Sequence, residues 1–192
     1  MPTFRLSKRS LLAATVAGVA LLAAGCGSSS DSSSSSSSDT LPTTEWADSL
    51  CSAVNTWKTS ITSAADPITS GDISKDSLTT AVDDVKSSTE TLTADLRALG
   101  KPDTEAGQEA KDSVDKLSTD LQSGVTSIED ELNGASGIAG YIAAAPAIAT
   151  TLKTMGTDVT STITTLPGLD AKGEIQSAFN DASSCADLTG SK

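Results

Sequence analysis

The chain contains no histidine. Imidazole is the commonest general base near neutral pH and the commonest metal ligand, so its absence excludes Ser–His and Cys–His nucleophilic catalysis. Aromatic side chains are nearly as scarce: two Trp, one Tyr and two Phe in 192 residues. No GxSxG, HExxH, Walker or GxGxxG spacing occurs. Thirteen basic residues stand against twenty-five acidic ones. Without a basic stripe or an aromatic platform, nucleic acid is excluded as a partner. The longest apolar run, Leu11 to Ala24, is broken only by Thr15 and Gly18, and it is shorter than the roughly 20 residues needed to span a bilayer.

What is present begins with the leader. Arg5, Lys8 and Arg9 precede that apolar run, and no acid accompanies them. A basic start, a short apolar core and small residues before a cut site describe a secretory signal peptide. Leu22-Ala23-Ala24-Gly25-Cys26 resembles the lipobox of bacterial prolipoproteins, in which small residues precede an invariant Cys. That resemblance covers residues 1–26. It implies cleavage between Gly25 and Cys26, and a diacylglyceryl thioether (palmitate-type chains) on Cys26. It also implies residence on the extracytoplasmic face of the cell membrane. Two acyl chains suffice for stable anchoring, at about 0.8 kcal/mol per buried CH2.

Without residues 1–25, ten basic and twenty-five acidic residues remain, a net charge near −15. Such a chain repels nucleic acid and anionic headgroups. Residues 26–42 read as the lipidated Cys and a disordered, Ser-rich tether, because Gly27 to Thr40 holds too little apolar surface to fold. Two cysteines remain, Cys51 and Cys185. Export places them in an oxidising compartment, where an even count predicts pairing.

From Thr43 to residue 188 the apolar period is helical. Trp46, Leu50, Val54, Trp57, Ile61 and Ala65 form the first stripe, which Thr43 or Thr44 is expected to cap and Asp66-Pro67 to end or bend. Leu78, Val82, Val85, Thr89, Leu92, Leu96 and Leu99 alternate steps of four and three, a heptad seam stopped by Gly100 and Pro102. Asp103 or Thr104 is expected to cap a third helix with the stripe Ala106, Ala110, Val114, Leu117, Leu121, Val125, Ile128 and Leu132, ended by Asn133-Gly134. Pro146 is expected to open a fourth helix through Ile148, Leu152, Met155, Val159, Ile163 and Leu166. Ile175, Phe179, Ala182 and Cys185 mark a short last helix. Residues 189–192 read as a disordered tail. Short connections favour antiparallel neighbours. The expected fold is all-α: an up-and-down bundle of four main helices plus a short C-terminal one. In that topology the first and last helices lie side by side and Cys51 meets Cys185.

Few side chains suggest chemistry. Asp83-Asp84 and Glu129-Asp130-Glu131 are the tightest acidic clusters. Adjacent helical residues diverge, so a solvated acidic face is the better reading. Trp46 and Trp57 lie three turns apart on one face, and core packing is their default use. With Tyr141 they are the candidate ligand or partner surface. The uncharged stretch Ala135 to Ala149 is apolar on every side, which favours burial within the bundle over a partner patch or lipid contact. Arg97 suits the negative end of the second helix dipole.

Glu45-Trp46-Ala47-Asp48 leading to Cys51, then Trp57-Lys58, and the late Ser183-Ser184-Cys185 resemble the small helical lipoproteins that actinobacteria export. The resemblance implies architecture and location and no activity. The expectation is a membrane-anchored, non-enzymatic interaction or scaffold module of the envelope, with an envelope protein as partner and without cofactor, metal or nucleic acid. The alternative is a small-molecule or lipid-binding lipoprotein with a cavity between helices near Ala135–Ala149.

Overall fold

Every member of the seam from Leu78 to Leu99 is buried. That seam is the centre of a helical bundle seen in a computed structural model, which describes residues 40–71 and 73–189. The elements are β1 (Thr40–Leu41), α1 (Thr43–Ser70), α2 (Lys75–Ala98), β2 (Lys101–Pro102), α3 (Gly107–Gly134), α4 (Gly137–Thr165), α5 (Glu174–Asp181) and α6 (Ala186–Thr189), with 3-10 turns at Leu166–Gly168 and Ser183–Cys185. Each long helix packs on the next in sequence. α5 lies against α1 and against the turn that ends α4. One core cluster runs through all of them, from Trp46 and Leu50 on α1 to Phe179 on α5. The fold is the all-α bundle that the stripes predict.

The first and last helical segments do meet. Cys51 on α1 and Cys185 in the final 3-10 turn form a disulfide, 134 residues apart in sequence and 5.0 Å apart at Cα. Asp48 and Asn55, on either side of Cys51, seal the same junction. The Ser184 amide donates to Asp48 Oδ1 at 3.2 Å, and Asn55 Nδ2 donates to the Ser184 carbonyl at 2.6 Å.

Four local expectations are corrected. α1 is not capped by Thr43 or Thr44; Pro42 holds the N-cap position without a side-chain bond. The Thr43 hydroxyl instead donates to the Asp103 carbonyl at 3.4 Å, because β1 pairs in parallel with β2 and brings the chain entry against the α2–α3 loop. α1 also runs through Pro67 to Ser70 and ends on left-handed Gly71 (φ 82°). The missing Pro67 N–H would have bonded the carbonyl of Ser63, an exposed residue, so water can satisfy that carbonyl. Continuing the helix packs Ile68 against the core.

Neither Asp103 nor Thr104 caps α3, which starts at Gly107 behind Ala106. Thr104 is used in the loop: its amide donates to the Pro102 carbonyl at 2.9 Å and its carbonyl accepts from Gly107 N at 3.0 Å. Residue 107 must be glycine, because a Cβ there would collide with the Pro102 carbonyl oxygen. α4 begins at Gly137, not at Pro146, which lies inside the helix. Pro146 is exposed and the residue one turn before it, Ile142, is also exposed. The proline therefore breaks the ladder only on the solvent side.

α2 carries a cap that the sequence reading did not assign. Ser74 accepts from the Ser77 amide at 3.1 Å, and the Ser77 hydroxyl accepts from the Ser74 amide at 2.9 Å. This is a capping box with Ser in the place usually taken by Glu or Gln.

Candidate functional site

The antiparallel order gives the bundle two poles, separated by 28-residue helices of about 42 Å at 1.5 Å per residue. One pole holds β1 and β2, where the described residues begin at Thr40. The other holds the turns α1–α2 and α3–α4. Cys26 and Gly25, the expected lipidation and cleavage positions, lie outside the described residues.

The far pole carries the exposed apolar surface. Ile138 and Ile142, one turn apart on α4, are 69 % and 55 % exposed. This corrects the expectation that Ala135 to Ala149 is covered on every side. Ala144, Ala145 and Ile148 turn into the core, while Ile138 and Ile142 stand open to solvent. Beside these isoleucines lies a cleft of about 400 Å³ lined by Lys75, Asp83, Glu129, Asn133 and Tyr141, among others. Tyr141 is half-buried at its rim. Glu129 is engaged there by Lys86 at 2.8 Å, across α2 and α3. That contact and its Coulomb attraction raise the Lys86 pKa.

Trp46 and Trp57 do not belong to a surface. They are 0 % and 3 % exposed. Trp46 Nε1 donates to the Gly100 carbonyl at 3.3 Å, and its ring meets Phe179 edge-on at 6.3 Å. Trp57 Nε1 donates to Thr89 Oγ1 at 3.0 Å inside the core. Both indoles are buried with their polar edges satisfied, as core tryptophans must be. The reading of these two rings as a ligand surface is corrected by that burial.

A larger concavity lies elsewhere among the described residues, along the seam of α1 and α2, with a volume of about 1120 Å³. Its α2 wall is the row Asp84, Ser88, Thr91 and Asp95, spaced four, three and four residues apart and so on one face. Its α1 wall is the hydroxyl row Ser49, Ser52, Thr56, Ser60 and Ser63. Buried Leu50, Trp57, Leu92 and Leu96 form the floor. The hydroxyls that look polar in sequence are largely turned onto their own helices. Thr56 donates to the Ser52 carbonyl at 3.0 Å, Ser60 to Thr56 at 3.1 Å, Ser88 to Asp84 at 2.7 Å and Thr91 to Ser87 at 3.0 Å. Each such oxygen keeps its accepting lone pairs for the groove. No Lys or Arg appears in the lining.

The acidic clusters diverge, as helical geometry requires. Asp83 lines the polar cleft while Asp84 lines the α1–α2 groove. Among the described residues no group of three or more Cys, Asp or Glu is placed to hold a metal ion. No described helix is long and apolar enough to cross a membrane.

The sequence reading missed two features. Asp170 is buried and accepts three backbone bonds, from Lys172 at 3.0 Å, Glu174 at 2.7 Å and Ile175 at 3.1 Å. Burial opposes its ionisation, but the three amides and the Lys172 charge outweigh that and hold its pKa below the ordinary value. It thereby caps α5, whose N-cap residue is left-handed Gly173 (φ 74°). The only sequence signal was Asp four residues before Glu174, with a glycine between. The groove had no signal, because the Ser and Thr residues that line it resemble the many that do not. Comparison with protein-family models, with curated proteins and with solved structures yields no match.

Proposed function

We propose that the protein is a lipid-anchored lipoprotein of the cell envelope whose bundle is a non-enzymatic interaction module. The observation that carries this is the placement of Ile138 and Ile142, exposed at the pole opposite the entry of the chain. A tether from Cys26 would reach the bundle at Thr40, at the pole opposite that apolar pair. The region from Leu132 to Leu152 itself holds no charge, so it adds no like-charge repulsion of its own to a contact with an acidic partner. Exposed apolar pairs rimmed by polar and aromatic groups suit protein contact.

A photo-crosslinking residue at position 142, placed in the chain in its own cells, tests this. The expected product is one discrete adduct with an envelope protein, lost on Ile138→Asp. In parallel, Cys26→Ser should move the protein out of the membrane fraction or leave it unprocessed. A smear of unrelated adducts, or unchanged membrane retention, would count against the corresponding half of the proposal.

A second reading is favoured by a different observation, the groove of about 1120 Å³ between α1 and α2. In that reading the bundle carries a small molecule. Its site is the α1–α2 seam, on the far side of the molecule's sequence from Ala135–Ala149.

A further inference from the structure

We infer that the groove between α1 and α2 binds a linear aliphatic polyamine, with its terminal ammonium groups at Asp84 and Asp95 and its methylenes on the apolar floor. The inference rests on the second reading above, that this groove holds a small molecule.

The charges set the length. Asp84 and Asp95 stand on one wall, eleven residues apart, which is about 16 Å along a helix at 1.5 Å per residue. Both are exposed and neither has an ion-pair partner among the described salt bridges. Asp48 also lines the groove; its Oδ1 accepts from the Ser184 amide, which fixes the carboxylate towards the C-terminal segment without removing its charge.

The hydroxyls set the polarity. Between the two acids, Ser88 and Thr91 face Thr56 and Ser60, and all four spend their protons on their own helix backbones. What they offer a ligand is lone pairs. A guest that donates along its middle as well as at its ends matches these four hydroxyls. The secondary ammonium groups of a polyamine do this. A phosphate or carboxylate cannot, and it would meet no lining cation.

The floor excludes two competitors. Ala53, Leu92 and Leu96 match a methylene chain, and a hydrated metal ion makes no use of them. A sugar is best held by an open aromatic face, and the one aromatic ring here, Trp57, is turned into the core.

The test is calorimetric titration of the full-length chain in detergent with spermine, whose extended length is of the required order. One site is expected. Asp84→Asn and Asp95→Asn should each weaken it by about fivefold, the loss of one exposed charge pair. Asp130→Asn removes the same charge from an exposed position outside the groove and should leave it unchanged. Backbone amide shifts should move at Thr56, Ser60, Ser88 and Thr91. Equal weakening by Asp130→Asn would mean diffuse attraction to an acidic protein and would overturn the inference. So would absence of spermine binding, or tight binding of a lysine-rich peptide in the groove with none of spermine.

Native mass spectrometry of the chain from its own cells separates the two levels. A retained mass other than a polyamine, removed by the groove-filling Ala53→Phe, would overturn the polyamine and leave the groove as a small-molecule site. Neither a retained mass nor spermine binding would end both.

Discussion

Gly124 on α3 faces Met155 on α4 so closely that a Cβ at position 124 would lie 2.7 Å from Met155 Cγ and 2.8 Å from its sulfur. Met155 is itself buried, so it has little room to yield. Gly124→Ala gains about 1 kcal/mol of helix propensity and meets an overpacking cost of about 1–3 kcal/mol. The expected net is a loss of about 1 kcal/mol, and Gly124→Val should lose more. Urea unfolding followed by circular dichroism measures both. Gly107→Ala is the harsher change, because its obstacle is the Pro102 carbonyl and not a movable side chain. A Gly124→Ala protein more stable than the parent would show that Met155 repacks freely.

The Cys51–Cys185 disulfide closes a loop of 134 residues. Chain-entropy reasoning assigns such a loop about 4–5 kcal/mol of stabilisation. The double variant Cys51→Ser/Cys185→Ser should stay helical, since the stripes and the core survive, but unfold at distinctly lower denaturant. α5 should loosen first, because the bond and the Asp48 and Asn55 contacts hold the C-terminal segment to α1. Hydrogen exchange that finds α5 protected as before would contradict this.

Asp170 predicts an acid-sensitive C-terminal segment. Its folded pKa lies below its ordinary value, so the unfolded chain binds the proton more readily. The stabilisation is complete above the unfolded carboxylate pKa, about 3.9, and is lost as pH falls through the lower folded value. Asp170→Asn should reduce stability at neutral pH and flatten the acid limb of the stability profile. A parallel limb in parent and variant would mean that the three amides do not favour the carboxylate.

Ile138 and Ile142 are exposed, so their substitution should affect recognition and not folding. Ile138→Asp/Ile142→Asp is expected to leave unfolding free energy within about 0.5 kcal/mol of the parent, as for ordinary surface positions. It should abolish any partner capture through the far pole. A large fall in stability would place these side chains in a packed contact instead.

The heptad seam from Leu78 to Leu99 was legible in full, since a residue's face on a regular helix follows from its number alone. The pairing of Cys51 with Cys185 was legible from cysteine count, and antiparallel topology supplied the proximity. Caps were less so. Thr43, Asp103 and Thr104 have the right chemistry for N-caps, and which hydroxyl or carboxylate caps a helix depends on what else is within reach. The β1–β2 pairing takes the Thr43 hydroxyl for the loop and fixes Thr104 there through its backbone, with its hydroxyl buried and unbonded. Pro67 and Pro146 likewise look like boundaries in sequence. Both are tolerated because the carbonyl each leaves unpaired belongs to an exposed residue, Ser63 or Ile142.

Periodicity, charge and cysteine count therefore determined the class of fold, the order of the helices and the residues of the core, because these follow from local geometry and from the need to bury apolar stripes. Tertiary structure alone decided which polar side chains stand together. Asp84 and Asp95 stand across the groove from the hydroxyls of α1 because two helices align there. Ile138 and Ile142 are exposed because no neighbouring helix covers them. Burial is a property of neighbours, and neighbours distant in sequence are set only when the helices pack.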